Sequence, residues 1–72
     1  MYNSDVATMI KIEQMGLFKR RRGKSLAEIG GLFKRHDVFG YIDDSYEFLH
    51  IQGALATFED ISAYIAAEER AQ

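Results

Sequence analysis

The residues best placed to do chemistry lie between Asp43 and His50, where Asp43, Glu47 and His50 recur at helical spacing and Tyr46 sits four positions before His50. Side chains three and four apart meet on one helix face, so two carboxylates and an imidazole there have the donor types for proton transfer or metal binding. The set falls short of both. A catalytic metal normally takes three protein ligands, and neither an HExxH pattern nor a second histidine lies nearby. The other histidine, His36, stands between Arg35 and Asp37. Both histidines read as helix-end residues that interact with the last carbonyls and the negative end of the helix dipole. The chain has no cysteine, which removes thiolate metal sites, disulfides and redox chemistry. Nucleophile motifs and phosphate-cradling glycine loops are missing too. The expectation is therefore no enzyme, no cofactor and no metal.

Charge is more informative. Residues 1–36 hold eight basic residues against Asp5, Glu13 and Glu28, a net of plus five, whereas residues 37–72 hold eight acidic residues against Arg70 alone, a net of minus seven. The overall charge of minus two conceals this split. Two arrangements account for it. The halves can attract each other inside one domain, where surface ion pairs contribute about 0–1 kcal/mol each. Alternatively, one sign steers a complementary partner.

The run Lys19, Arg20, Arg21, Arg22 and Lys24 can neutralise phosphates, which makes it a candidate contact for nucleic acid or for an acidic protein. Residues 25–36 and 41–50 also have the lengths of a helix-turn-helix. The would-be recognition helix, however, carries Asp43, Asp44 and Glu47 and has no arginine, lysine, asparagine or glutamine between Gly40 and His50. Specific reading of DNA bases is not expected from it.

Four helices must position these groups. The first runs from about Ser4 to Phe18, with Asn3 or Ser4 as N-cap, a stripe of Val6, Met9, Ile10 and Leu17 widened by Ile12 and Met15, and Gly16 near its end. Lys19 to Lys24 reads as a solvated loop, because like charges repel and Gly23 interrupts the run. Ser25 with Glu28 forms a capping box that opens a second helix to His36, buried through Leu26, Ile29, Leu32 and Phe33. Gly30 and Gly31 inside it cost about 1 kcal/mol each in helix propensity, so either another helix approaches closely there or the helix bends. Val38 and Phe39 read as a linker. A third helix carries Tyr41, Ile42, Ser45, Tyr46 and Leu49 inward and closes near Gly53. Ala54 to Ala56 reads as a short extended piece with Leu55 pointing outward. Thr57 with Asp60 imitates a capping box for a fourth helix lined by Phe58, Ile61, Tyr64 and Ile65, with a tail over 68–72 that frays. Tyr41, Tyr46 and Tyr64 are expected to pack against the core with their hydroxyls reaching water.

The result is an all-α, single-domain bundle of about four short helices. Hydrophobic residues make up 47% of the 72-residue chain, which suits a folding domain and not a disordered tail. A chain this short buries only about 60% of the surface its unfolded form exposes. A partner protein, or a second copy forming a homo-oligomer, is expected to complete so small a core. No signal-like segment or apolar run of about 20 residues is present, so the reading is cytoplasmic, with no membrane contact.

From Ser25 onward the chain resembles a small bacterial uncharacterised family, domain of unknown function 3791. The likeness rests on Ser25-Leu26-Ala27-Glu28 leading to Leu32-Phe33, then Val38, Tyr41-Ile42, Tyr46-Glu47, Leu49-His50, Gly53, Asp60-Ile61 and Tyr64-Ile65. In that family a glycine often follows the second helix, where this chain has Asp37, and the arginine-rich segment looks longer here. The resemblance implies no catalytic residues. It also implies an antitoxin-like or immunity-like role beside a larger, toxin-like enzyme of the ADP-ribosyltransferase type. Together these readings predict a non-catalytic protein-interaction module whose partner contact runs through Asp43, Asp44, Glu47, Tyr46 and His50. The alternative is a small nucleic-acid-binding module using Lys19 to Lys24.

Overall fold

A computed structural model describes residues 4–71 as four helices: α1 Ser4–Arg22, α2 Leu26–Arg35, α3 Val38–Gln52 and α4 Ala54–Ala71. Asn3, one of the two candidate N-caps of α1, lies outside the described residues, as does Gln72 at the end of the tail. No helix among the described residues is long and apolar enough to cross a membrane.

The first correction concerns the basic segment. Residues 19–22 are not a loop but the last turn of α1, and Gly16 lies within the helix. Three effects outweigh the charge repulsion. Cations at a helix C-terminus are stabilised by the dipole. The guanidinium of Arg21 lies 5.4 Å from the centroid of the Phe58 ring and that of Arg22 lies 5.3 Å from Phe18, an attraction worth about 0.5–1 kcal/mol at an exposed site. The helix then closes on Gly23 at φ 63°, with the Lys24 N–H donating to the Lys19 carbonyl at 3.3 Å, as in a Schellman closure.

The capping box of α2 forms as expected: Glu28 N–H donates to Ser25 Oγ at 3.1 Å and Ser25 N–H to the Glu28 carboxylate at 2.9 Å. Val38 and Phe39 belong to α3 instead of a linker, since His36 and Asp37 alone make the turn, and Asp37 is the residue that reverses the chain. It adopts the left-handed conformation at φ 52°, which aspartate tolerates better than most residues. Ala54 to Ala56 is likewise helical, not extended. Gly53 at φ 93° closes α3, and its carbonyl already accepts the Thr57 N–H at 3.1 Å as α4 begins. Thr57 therefore caps nothing. Its buried hydroxyl donates back to the Leu49 carbonyl at 3.2 Å, tying α4 to α3.

The core gathers Phe18, Ile29, Phe33, Val38, Ile42, Leu49, Ile61 and Ile65 from all four helices. Phe18 meets Phe33 edge-on with centroids 5.1 Å apart and Phe58 at 4.5 Å, while Phe33 meets Phe39 at 5.6 Å. The buried face of α1 is Ala7, Ile10, Gln14 and Phe18, rotated from the stripe expected from side-chain type. Met9 and Ile12 consequently face outward, as does Leu26 on α2. Gln14 occupies a core position because its Nε2 donates to the Ala54 carbonyl at 3.0 Å, joining α1 to the start of α4.

The tail is helical through Ala71. Glu68 accepts a 2.7 Å hydrogen bond from Nδ1 of His36, and Tyr64 Oη donates to the His36 carbonyl at 2.8 Å. These contacts pin the end of α4 to the α2–α3 turn.

Candidate functional site

With the core satisfied, the helices leave two surfaces that intramolecular packing does not use. One is an acidic, apolar corner where α3 turns into α4. Phe48, Ile51 and Leu55 are 61%, 84% and 60% exposed, and they follow one another at spacings of three and four across the turn at Gly53. Three large apolar side chains left in water around one turn are the informative kind of exposure, because single exposed residues are ordinary. Asp44, Glu47 and Glu59 are exposed beside them. A hollow of about 210 Å³ adjoins the corner, with Met9 and Glu13 of α1 facing His50, Gly53 and Ala54 across it.

The five residues expected to touch a partner divide accordingly. Asp44 and Glu47 are exposed on α3. Asp43 is drawn inward to Lys11, with an oxygen 2.7 Å from Nζ, so its charge is partly answered within the chain. Tyr46 is half-buried against the core. His50 is exposed and lines the hollow. Among the described residues, no group of three or more histidine, cysteine or acidic side chains could hold a metal.

The second surface is a groove of about 350 Å³ beside the C-terminal end of α1 and along α2. Arg22, Lys24 and Arg35 stand on its rim, and Ala27, Gly31 and Leu32 contribute to its floor. Glu28 also borders it, but its carboxylate is engaged by the Ser25 backbone N–H. That hydrogen bond, with the Ser25 hydroxyl contact and nearby Lys24, holds its pKa below the usual glutamate value. Close approach of another helix does not explain the adjacent glycines. A Cβ on Gly31 would meet nothing within 4 Å, and one on Gly30 would meet only the methyl end of Met15 at an ordinary 3.8 Å.

Lys19, Arg20, Arg21, Arg22 and Lys24 are all exposed. None of them makes an ion pair among the described residues, where the basic and acidic halves of the chain meet directly at Lys11–Asp43 and at His36 with Glu68 and Glu69. Arg21 and Arg22 rest on aromatic rings instead.

His36 is more than a helix-end residue. It is 2% exposed, and its Nε2 is buried without a hydrogen-bond partner among the described residues, with a Glu69 oxygen 3.8 Å away. Tyr41 and Tyr64 stack beside this cluster with centroids 5.6 Å apart and planes 11° from parallel. Burial, reinforced by the nearby Asp60 charge, raises the Tyr41 pKa, and burial with the Glu68 hydrogen bond raises that of Tyr64. Both phenols stay protonated and serve packing.

Sequence reasoning missed Phe48, Ile51, Met9 and Ile12 as surface groups. The signal for the first two was available: both lie off the buried stripe of α3. Leu55 was legible as outward-pointing, although inside a helix and not in an extended piece.

The sequence model of the family described as a protein of unknown function (DUF3791) matches residues 11–68, and the chain belongs to that family. No curated protein and no solved structure matches it.

Proposed function

We propose that this member of the family is a non-catalytic protein-interaction module that docks its α3–α4 corner onto a basic site of a larger protein. The observation that carries this reading is the exposure of Phe48 and Ile51 at the end of α3 and of Leu55 at the start of α4, with Asp44, Glu47 and Glu59 exposed on the same two helices. Apolar anchors surrounded by charge are the composition of an interface: the anchors supply affinity and the carboxylates steer the encounter. The mechanism is steric occlusion of the partner's site. The family resemblance supplies the class of partner, a toxin-like enzyme of the ADP-ribosyltransferase type, which makes the role antitoxin-like or immunity-like.

Affinity capture with the tagged chain from its native host tests the reading. Capture of a partner of that class by the wild type should be lost with Phe48→Ala plus Ile51→Ser. Truncating a central anchor costs about 2 kcal/mol or more, roughly a 30-fold loss of affinity. Far-UV circular dichroism should show unchanged helicity. Recovery of no partner at physiological salt, or a partner retained by the double variant, would refute it.

The absence of ion pairs on Lys19 to Lys24 among the described residues supports a second reading, a nucleic-acid contact through this basic end. It predicts affinity for a labelled duplex or single strand that falls steeply with salt. Unchanged binding after Arg20→Ala, Arg21→Ala and Arg22→Ala together would end it.

A further inference from the structure

We infer that the groove between the basic end of α1 and α2 receives the acidic apolar α3–α4 corner of a second copy of this chain. The two surfaces are complementary in sign and in kind. Arg22, Lys24 and Arg35 stand over the small floor residues Ala27 and Gly31 on one, while Asp44, Glu47 and Glu59 flank Phe48, Ile51 and Leu55 on the other. The one acidic group lining the groove, Glu28, keeps its charge, but the three cations Arg22, Lys24 and Arg35 outnumber it and set the sign presented to a visitor.

A chain cannot fill its own groove this way. Every residue lining the groove lies between Arg22 and Arg35, so neither α3 nor α4 of the same chain lines it. Gly31 fits the same picture. Glycine is a poor helix former, yet nothing within the chain needs its missing Cβ, and the space it leaves open is the groove. The contact uses the same corner as the proposed partner interface, so a second copy and the partner compete for it, while the groove is needed by self-association alone.

Sedimentation velocity on the purified chain, from micromolar to millimolar at low and high salt, tests the contact. The mean mass should rise with concentration above the 8.2 kDa of one chain and return towards it at high salt, where charges are screened. Lys24→Glu with Arg35→Glu should remain at the mass of one chain, and so should Asp44→Lys with Glu47→Lys. Mixing these two variants should restore association, because the intact groove of one meets the intact corner of the other. Gly31→Leu should block the groove while keeping the wild-type melting temperature or raising it, which separates a lost contact from a lost fold.

A wild type that stays at 8.2 kDa at millimolar concentration and low salt overturns the proposal. So does a mixture that associates no better than its components, or a groove variant that loses oligonucleotide binding yet keeps the wild-type mass. The Lys24→Glu, Arg35→Glu chain must still capture the partner protein if the functional reading holds. Failure of capture and failure of self-association are thereby distinguished.

Discussion

Gly53→Ala isolates the backbone strain at the turn that builds the corner. Gly53 sits at φ 93° and ψ 170°, a region that only glycine occupies comfortably, and holding another residue there costs about 1–3 kcal/mol. A Cβ at this position would meet nothing else within 4 Å, so the cost arises within the local backbone and no packed neighbour adds to it. Taking about 2 kcal/mol, with about 4–8 °C per kcal/mol for a domain of this size, the melting temperature should fall by about 8–16 °C. Gly31→Ala is the matched control. It too has open space around the new Cβ but lies inside α2, so it should gain about 1 kcal/mol and rise by about 4–8 °C. The assay is thermal unfolding followed at the helical circular-dichroism band, at micromolar concentration and high salt so that self-association does not contribute. A Gly53→Ala protein melting with the wild type, or a Gly31→Ala protein melting lower, would refute the backbone account of the two glycines.

Ser25→Ala should cost about 1 kcal/mol through loss of the cap on α2, measured by urea unfolding. The Glu28 carboxyl is held below its usual pKa in the folded chain, so its contribution is fully present above the ordinary glutamate range and lost as pH falls through the folded value; a Glu28→Gln protein should show a flatter acid limb in a pH series of melting temperatures. At the other extreme, the raised pKa values of Tyr41 and Tyr64 contribute stability below the ordinary tyrosine range that disappears as pH rises through the folded values. Tyr41→Phe and Tyr64→Phe should each blunt alkaline unfolding, and Tyr64→Phe should also destabilise at neutral pH, because it loses the 2.8 Å hydrogen bond to the His36 carbonyl. Gln14→Met removes a buried Oε1 that has no partner among the described residues along with the amide bond to Ala54, and because an unsatisfied buried acceptor costs about 1–3 kcal/mol, it should stabilise by about 1 kcal/mol in chemical denaturation.

Helix number and type were legible because the signals were local. The Ser25–Glu28 box, the left-handed stop at Gly53 and the buried faces of α2 and α4 each need only a few neighbouring residues to be read. Ends and rotations were not, because distant contacts decide them. Phe58 and Phe18 give Arg21 and Arg22 a surface to lie on, so α1 continues where charge repulsion alone predicts a loop. Thr57 resembles a cap in sequence, but the Leu49 carbonyl claims its hydroxyl. On α1, apolarity by residue type pointed to Met9 and Ile12, whereas the Ala54 carbonyl secures Gln14 in the core and rotates both outward. The site was half legible for the same reason. Asp44 and Glu47 are exposed as acidity implied, but Lys11 engages Asp43, and a pairing 32 residues apart could not be read from spacing.

The charge split gains its meaning only once the fold is known. Had the two halves been arranged to satisfy each other, the basic turn of α1 would lie against the carboxylates of α3 and α4. Instead, the contacts joining the halves among the described residues are the Lys11–Asp43 ion pair and the approach of Glu68 and Glu69 to the His36 ring, none of which uses the run from Lys19 to Lys24. Surface pairs contribute so little to stability that the fold is under weak pressure to form them. Separated patches of opposite sign are therefore tolerated by the fold, and their main physical effects are on encounter rate, orientation and salt dependence. In the proposed contacts, the apolar groups beside each patch, Leu26 and Leu32 at the basic end and Phe48, Ile51 and Leu55 at the acidic one, would convert steering into contact, because desolvated anchors rather than screened charges carry binding energy.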